Sequence, residues 1–368
     1  MRAKTLYVLS VFTFLLLISI SMVSAQTATD GADASASGFK PIDSSGPTKP
    51  ASKAASSDSG GYIQFKTYVV KVHRSNPSVA VIEHDGFVIT ALDRFNYGTE
   101  VGYKGEAGWT ASNRFGVRGS FFYTNQAANR ALASAPAPPP YFIPPQPLNL
   151  GTGNADVGFP ANYSETFRLE VGDIEGTYKW TSDKWNVLAS AGVRIARVRQ
   201  VYTFAQSFGA VAFPGQGGPA TLNYTQSRTG FGPTGAVDFR RQLGKSSIWF
   251  TGSGRVAEIF GSNKETVHRI QTFGNFNNTA TRSNSHPSFV LEGETGLEWA
   301  HKSSSGKGFF AGGSFIFHNW SDLVVVTPTN SIGGSASPNL GLDDPSKPPK
   351  LRSSVRFIGG AFSIGYRF

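Results

Sequence analysis

Ser314 and His318 lie four residues apart, and this spacing suggests a nucleophile with its base. On an alternating strand both fall on an inner face, whereas an outer-membrane lipase needs its serine and histidine facing lipid near a rim. An ordinary structural role is therefore expected for the pair. The other histidines, His73, His84, His268, His286 and His301, show no metal-ligand spacing. Cysteine is absent, which excludes a thiolate nucleophile, a disulfide framework and a Cys-based metal site. Gly232, Gly235 and the Gly252-x-Gly254 pair are followed by no strand-to-helix transition, so they do not read as phosphate loops. No catalytic group, metal or cofactor is expected, and the chain does not read as an enzyme.

What remains is a set of charges on alternating stretches. Arg114, Arg118, Arg168, Arg194, Arg255 and Arg367 are read as one inward-facing set, opposed by Glu100, Glu106, Glu170, Glu292, Glu294 and Glu298. Facing a water-filled lumen, such charges set ion selectivity through their local field. Paired with one another, they fill a barrel instead. The preferred expectation is a narrow pore for small solutes or ions that slightly favours anions. A non-conducting structural or adhesion barrel is the alternative.

The elements that would hold these charges are β-strands. The last stretch, Val355–Phe368, puts Phe362, Ile364, Tyr366 and Phe368 on one face and Ala361, Ser363, Gly365 and Arg367 on the other. A period of two sends alternate side chains to opposite faces of a strand. A lipid-facing apolar stripe and a small or charged lumen stripe are what a transmembrane β-barrel requires. A terminal aromatic such as Phe368 also ends many outer-membrane barrels. The barrel-assembly machinery is thus an expected partner of this strand, and outer-membrane lipid of the barrel as a whole.

The chain begins as an exported protein would. Met1–Ala25 has a positive start at Arg2 and Lys4, an apolar run Leu6–Ile20 and a small-residue cleavage site, the pattern of a signal peptide. Residues 26–61 are rich in Ala, Ser, Gly and Asp and poor in large apolar groups, so a disordered linker is expected. The net charge of +10 is dispersed along strands rather than clustered, which argues against nucleic acid. No later stretch approaches the length of a membrane helix, so residence in a membrane would have to be as a barrel.

The barrel is expected over residues 62–368. Tyr62–His73 suits a first crossing, and Val79–Ala91, interrupted by His84-Asp85-Gly86, suits a small hairpin in a loop or over the lumen. Arg94–Trp109 puts Phe95, Tyr97, Val101, Tyr103 and Trp109 on one face, with Lys104 and Glu106 on the other. The return strand places Phe115, Val117, Phe121 and Tyr123 outward. A long connection, Thr124–Asn162, contains a Pro-dense run that should exclude sheet. In Tyr163–Trp180 the apolar parity switches between Val171 and Ile174. A bulge at Gly172-Asp173 is expected to keep Phe167, Leu169 and Val171 facing lipid. The following strand puts Val187, Val193 and Ile195 outward. Further loops are expected at Phe204–Leu222, Gly261–His286 and Ser321–Arg352, and further crossings at Asn223–Arg241, Ser247–Phe260, Pro287–Ala300 and Gly308–Trp320.

Short polar turns alternate with long loops, and Trp109, Trp180, Trp185, Trp249 and Trp299 lie beside the short turns. Periplasmic turns, outer loops and interfacial aromatics follow that pattern in outer-membrane barrels. By parity Trp249 would point inward, and Trp320 falls at the long-loop end. With both termini on the short-turn side, ten strands are expected, or twelve if Lys264–Thr281 adds a crossing hairpin.

Arg94–Trp109, FRLEVGDIEGTYKW (167–180), WNVLASAGVRIARVRQVY (185–202), FGPTGAVDFRRQLG (231–244) and the closing strand resemble planctomycete proteins of the pore-forming family named after the Legionella major outer-membrane protein. The resemblance implies an outer-membrane pore. It does not carry over cysteine cross-linking, since this chain has no cysteine. Whether subunits associate is left open.

Overall fold

The computed structural model describes residues 59–74, 78–84, 88–94, 97–112, 114–132, 141–143, 161–182, 185–208, 218–271, 276–301, 307–326 and 351–368. The expected leader, residues 26–58 of the expected linker, and Phe95 lie outside the described residues. The described strands, in chain order, are β1 (Gly60–Arg74), β2 (Ser78–His84), β3 (Val88–Arg94), β4 (Thr99–Thr110), β5 (Phe115–Leu132), β6 (Tyr141–Ile143) and β7 (Ala161–Thr181). They continue with β8 (Trp185–Phe208), β9 (Gly218–Gln242), β10 (Ile248–Gln271), β11 (Phe276–Ser285), β12 (Ser288–Ala300), β13 (Gly308–Val326) and β14 (Leu351–Arg367).

Ten of them close an antiparallel barrel in the order β1-β4-β5-β7-β8-β9-β10-β12-β13-β14, with β14 returning to β1. The seam runs from Tyr62 opposite Arg367 to Arg74 opposite Val355. At its foot Gly61 and Phe368 exchange two backbone hydrogen bonds, of 2.9 and 3.0 Å. Among the described residues, closure leaves none of these ten strands as a free edge of the ring, which is what a sheet needs inside hydrocarbon. The turns β4–β5, β7–β8, β9–β10 and β12–β13 are short and share an end with both barrel termini. Gly244, at φ +63°, supplies the left-handed residue of the β9–β10 turn.

Side-chain alternation explains the two surfaces. Outside stand Phe65, Val117, Phe121, Ile174, Val193, Ile195, Phe231, Leu297, Phe315, Phe362 and Ile364, all exposed, with Ile174 at 75%. So large a contiguous apolar surface marks a face built for lipid rather than water. Trp109, Trp299 and Phe309 are also exposed, beside the short turns. Trp249 and Trp320 are buried instead, on the inward parity of their strands.

Several expectations are corrected. Val79–Ala91 is a hairpin, β2–β3, outside the barrel ring, as expected, but Arg94 ends β3 and the crossing strand begins only at Thr99. Tyr141–Ile143, within the Pro-dense run, pairs with β2 as a three-residue strand: its Tyr-Phe-Ile has free N–H groups between the prolines. β1 starts at Gly60, inside the expected linker. β5, β8, β9, β10 and β13 run well into the expected long loops. β10 continues to Gln271 and carries β11 as a partner on one side. β11 adds no crossing, so the barrel stays at ten strands. Crossing a bilayer takes about 9–11 residues; strands of 24 or 25 residues therefore extend β8, β9 and β10 into a wall beyond the apolar belt.

β7 shows no bulge. Its register against both β5 and β8 is unbroken from end to end. Phe167, Leu169 and Val171 therefore share the inner face with Asp173 and Glu175, and all five are buried. The switch in the sequence is a change of lumen content with depth.

Candidate functional site: the lumen

The interior is filled by side chains in successive layers. Nearest the short turns, Trp249, Ala300 and Phe310 cluster. The Arg240 guanidinium lies 4.7 Å from the Trp249 ring centroid and that of Arg367 lies 4.0 Å from Phe310. Both arginines converge on Glu298.

Above this layer lies an ionic one. Lys66, Lys104, Arg118, Arg194 and Arg255 meet Glu106, Asp173, Glu175, Asp238, Glu292 and Glu294. Arg118 on β5 donates through Nε to Glu175 at 2.8 Å and through Nη2 to Ser190 at 2.7 Å. It also pairs with Asp238 on β9, two strands beyond its neighbour β7. Arg194 on β8 donates to Asp173 on the adjacent strand at 2.7 and 3.0 Å, and to Glu292 on β12. Arg255 pairs with Glu175 and lies 3.2 Å from Asp173. The Lys66 ammonium contacts both oxygens of Glu294, at 2.8 and 2.9 Å, and Ser314 donates to the same carboxylate. Tyr62 donates to Glu106 at 2.7 Å, and Lys104 lies 3.1 Å from it. Arg194 is 2% exposed and Glu175 1%. Buried charges persist only when paired and hydrogen-bonded in this way.

An apolar layer covers the ions on the long-loop side. Tyr68 and Phe122 meet edge to face at 5.4 Å, with the His318 ring about equidistant from both, at 5.9 and 6.0 Å. Phe167 faces Phe357 at 6.3 Å. Val70, Val72, Leu169, Val198, Ile316 and Trp320 belong to the same buried cluster. Arg194 joins the layers, its guanidinium 5.6 Å from the Trp320 ring.

Polar groups return above the apolar layer. Glu165 receives Tyr97, Gln200 and Arg74. Arg228 donates to the carbonyls of His286, Asp322 and Ile259 and to Ser288, tying β9, β10, β12 and β13 together. Asp322 sits at φ +57°, and its carbonyl also accepts from Ser288 at 3.0 Å.

Of the arginines and glutamates expected inside, Arg118, Arg194, Arg255, Arg367, Glu106, Glu292, Glu294 and Glu298 are brought together there. Glu100 faces inward opposite Val70 but stands apart from the ionic layer. Three expectations fail. Arg114 is in the exposed β4–β5 turn at φ +73°, where its amide donates to Ala111 and its carbonyl accepts from Lys179. Arg168 and Glu170 occupy the outer face of β7 and pair with each other there, because the unbroken register reverses their parity. Lys66, Asp173, Glu175, Asp238 and Arg240 were missed as lumen residues. Part of their signal was available in the alternation with belt residues: Lys66 follows Phe65, Asp173 and Glu175 flank Ile174, and both Phe65 and Ile174 are exposed on the outer face. Ser314 and His318 are engaged separately, one with Glu294 and the other with aromatic rings. Among the described residues no group of three or more His, Cys, Asp or Glu could hold a metal ion.

No protein-family model matches the chain, and no curated protein matches it. Among solved structures it is similar in fold to the outer membrane protease OmpT of Escherichia coli, at 8% identity and a TM-score of 0.43, covering 85% of this chain and 97% of that one. It is also similar to the P. putida toluene transporter TodX, at 9% identity and a TM-score of 0.31, covering 84% and 90%. The Ralstonia pickettii toluene transporter TbuX follows at 8% identity and a TM-score of 0.26, covering 84% and 89%.

Proposed function

We propose that the chain is an outer-membrane β-barrel whose lumen is shut at rest by its own side chains, and that it serves as a membrane-embedded scaffold for the long-loop end. The observation that carries this reading is the stacking of an ionic layer, buried at Arg118, Arg194, Arg255, Asp173 and Glu175, beneath a buried aromatic and aliphatic one. An ion crossing the barrel would have to part both. A barrel of about eight strands is filled by side chains, and ten strands lined with Trp, Tyr, Phe and Arg can be filled as well.

The second reading is a gated pore for small solutes, and one observation favours it. The ionic layer is held by cross-lumen pairs such as Arg194–Glu292 and Lys66–Glu294, and a barrel meant only to be full could be packed with apolar groups at no loss of stability. The family resemblance on the strands quoted above implies the same function. Planar-bilayer recording from the purified, folded chain separates the two. The closed scaffold gives a bare baseline, and a voltage-induced train of discrete steps replaces it with the gated pore. Liposome swelling with sugars of graded size then sets the width of any opening.

A further inference from the structure

On the outer face, the apolar belt ends abruptly across the five adjacent strands β5, β7, β8, β9 and β10, with Gly172 of β7 in its last row. The large side chains of that row are Phe121, Ile195, Phe231 and Phe260, and all four are exposed. Strand register places Tyr123, Glu170, Arg197, Thr229 and Ser262 one outward row further on, and Asn125, Arg168, Arg199, Ser227 and Lys264 one row beyond that. The next row, with Thr166, Val201, Thr225 and Thr266, is neutral. The cations are thus confined to two rows between hydrocarbon and neutral polar surface.

Arg168 and Arg199 stand directly opposite each other in the ladder, an arrangement of like charges that costs energy unless something relieves it. Glu170 pairs with Arg168, whose guanidinium also lies 5.2 Å from the Tyr123 ring centroid and is held there. Among the described residues Arg197, Arg199 and Lys264 have no acidic partner within ion-pair distance, and all three are exposed. One outward step along a strand is about 7 Å, or about 5 Å of depth at the usual barrel tilt, so the first cationic row falls in the headgroup zone, which is about 5–7 Å thick on each side of the hydrocarbon. Guanidinium groups recognise phosphate oxygens in a bidentate fashion.

From this placement we propose that Arg168, Arg197, Arg199 and Lys264 form a binding site for the phosphorylated headgroup of an anionic outer-leaflet lipid. Its acyl chains lie on Phe121, Ile195, Phe231 and Phe260. The site rests on the reading of the chain as a membrane barrel, and it turns the cationic surplus of this wall into lipid recognition. The surrounding lipid is then a selected one, held against β7, β8, β9 and β10.

The test uses the full chain folded into nanodiscs of phosphatidylcholine, with and without a diphosphorylated lipid A. Native mass spectrometry reads the lipid retained on release. The expected result is selective retention of lipid A, reduced roughly tenfold in the triple variant R197Q/R199Q/K264Q, since charge-assisted phosphate contacts are lost. R241Q alters an exposed arginine at the short-turn end, 5.0 Å from the Trp185 ring, and should leave retention unchanged. Equal retention in the triple variant, equal loss in R241Q, or displacement of the lipid by inorganic phosphate alone overturns the proposal. A chain that incorporates into nanodiscs but shows no lipid preference rejects the site and leaves the membrane reading standing. A chain that does not incorporate rejects both.

Discussion

Arg194 reaches across the lumen from β8 to Glu292 on β12, with Nη1 2.7 Å from Oε1 and Nη2 2.9 Å from Oε2. Two strands separate these partners around the wall, so the pair spans the interior rather than bracing neighbours. It is one of several such ties, and they set what the lumen tolerates.

The first prediction concerns the simplest tie, Lys66–Glu294. Removing the ammonium leaves a carboxylate with Ser314 as its remaining donor in a mostly buried site. Lys66→Met should destabilise the barrel by about 3–5 kcal/mol, the usual cost of breaking a buried pair from one side. The double variant K66M/E294Q should regain most of that, because no unpaired charge remains. Urea unfolding in lipid vesicles, followed by tryptophan fluorescence, measures all three variants. Equal losses in the single and double variants would mean that the pair is not electrostatically coupled.

A second prediction separates lipid from water as the medium around the belt. Ile174 is 75% exposed and opposes Val193, midway between Trp180 and Glu170 on β7. On a water-soluble surface Ile174→Arg would be nearly neutral. One row inside the edge of the belt it should cost more than the ~0–1 kcal/mol of an interfacial site, approaching the cost at the bilayer midplane of about 2–4 kcal/mol. The same vesicle unfolding experiment reads the difference, with Thr225→Arg, in the neutral row opposite Val201 and Thr266, as the near-neutral comparison.

The fold was largely legible in the sequence, and β7 shows where legibility stopped. Alternation on β8 and β14, short turns facing long loops and both termini on one side were enough to arrive at ten strands, because each rests on local spacing. Periodicity separates two faces of a strand. It says which one meets lipid only when one of them is polar. Phe167, Leu169 and Val171 look as fit for lipid as Ile174 does, so a bulge was needed to reconcile them. The unbroken ladder removes that need by giving the lumen an apolar layer of its own. Depth was equally invisible: Arg168 and Glu170 can face outward because they stand beyond the belt, a fact set by register with β8. The cross-lumen partners of Arg118 and Arg194 depend on strands far apart in the chain, which no local pattern specifies.

A third prediction tests the apolar layer. Phe167 and Phe357 are 0% and 1% exposed and face one another. Truncating either to Ala removes buried area and leaves a cavity, at about 3–5 kcal/mol. If this layer also keeps the lumen shut, the double variant F167A/F357A should show intermittent conductance in planar bilayers where the parent chain shows none. Loss of stability with a silent baseline would assign closure to the ionic layer alone.

The last prediction concerns the seam. Phe368 accepts from the Gly61 amide at 2.9 Å and donates to its carbonyl at 3.0 Å, and its exposed ring stacks at 6.5 Å from Tyr366 on the lipid-facing side. Deleting Phe368 removes both backbone bonds, and Gly61 must then find its partners in water at the foot of the barrel. Each such bond contributes only about 0.5–1.5 kcal/mol, so the folded barrel should survive with a modest loss. If the terminal aromatic is also what the assembly machinery engages, outer-membrane abundance in cells should fall far more than stability in vitro. Replacing Phe368 with Ala keeps the backbone bonds and removes the ring, so it separates the two roles. Abundance should drop as in the deletion, while unfolding in vesicles stays close to that of the parent chain. Normal abundance of Phe368→Ala would assign the residue to the seam and leave the recognition of this strand to Ile364 and Tyr366.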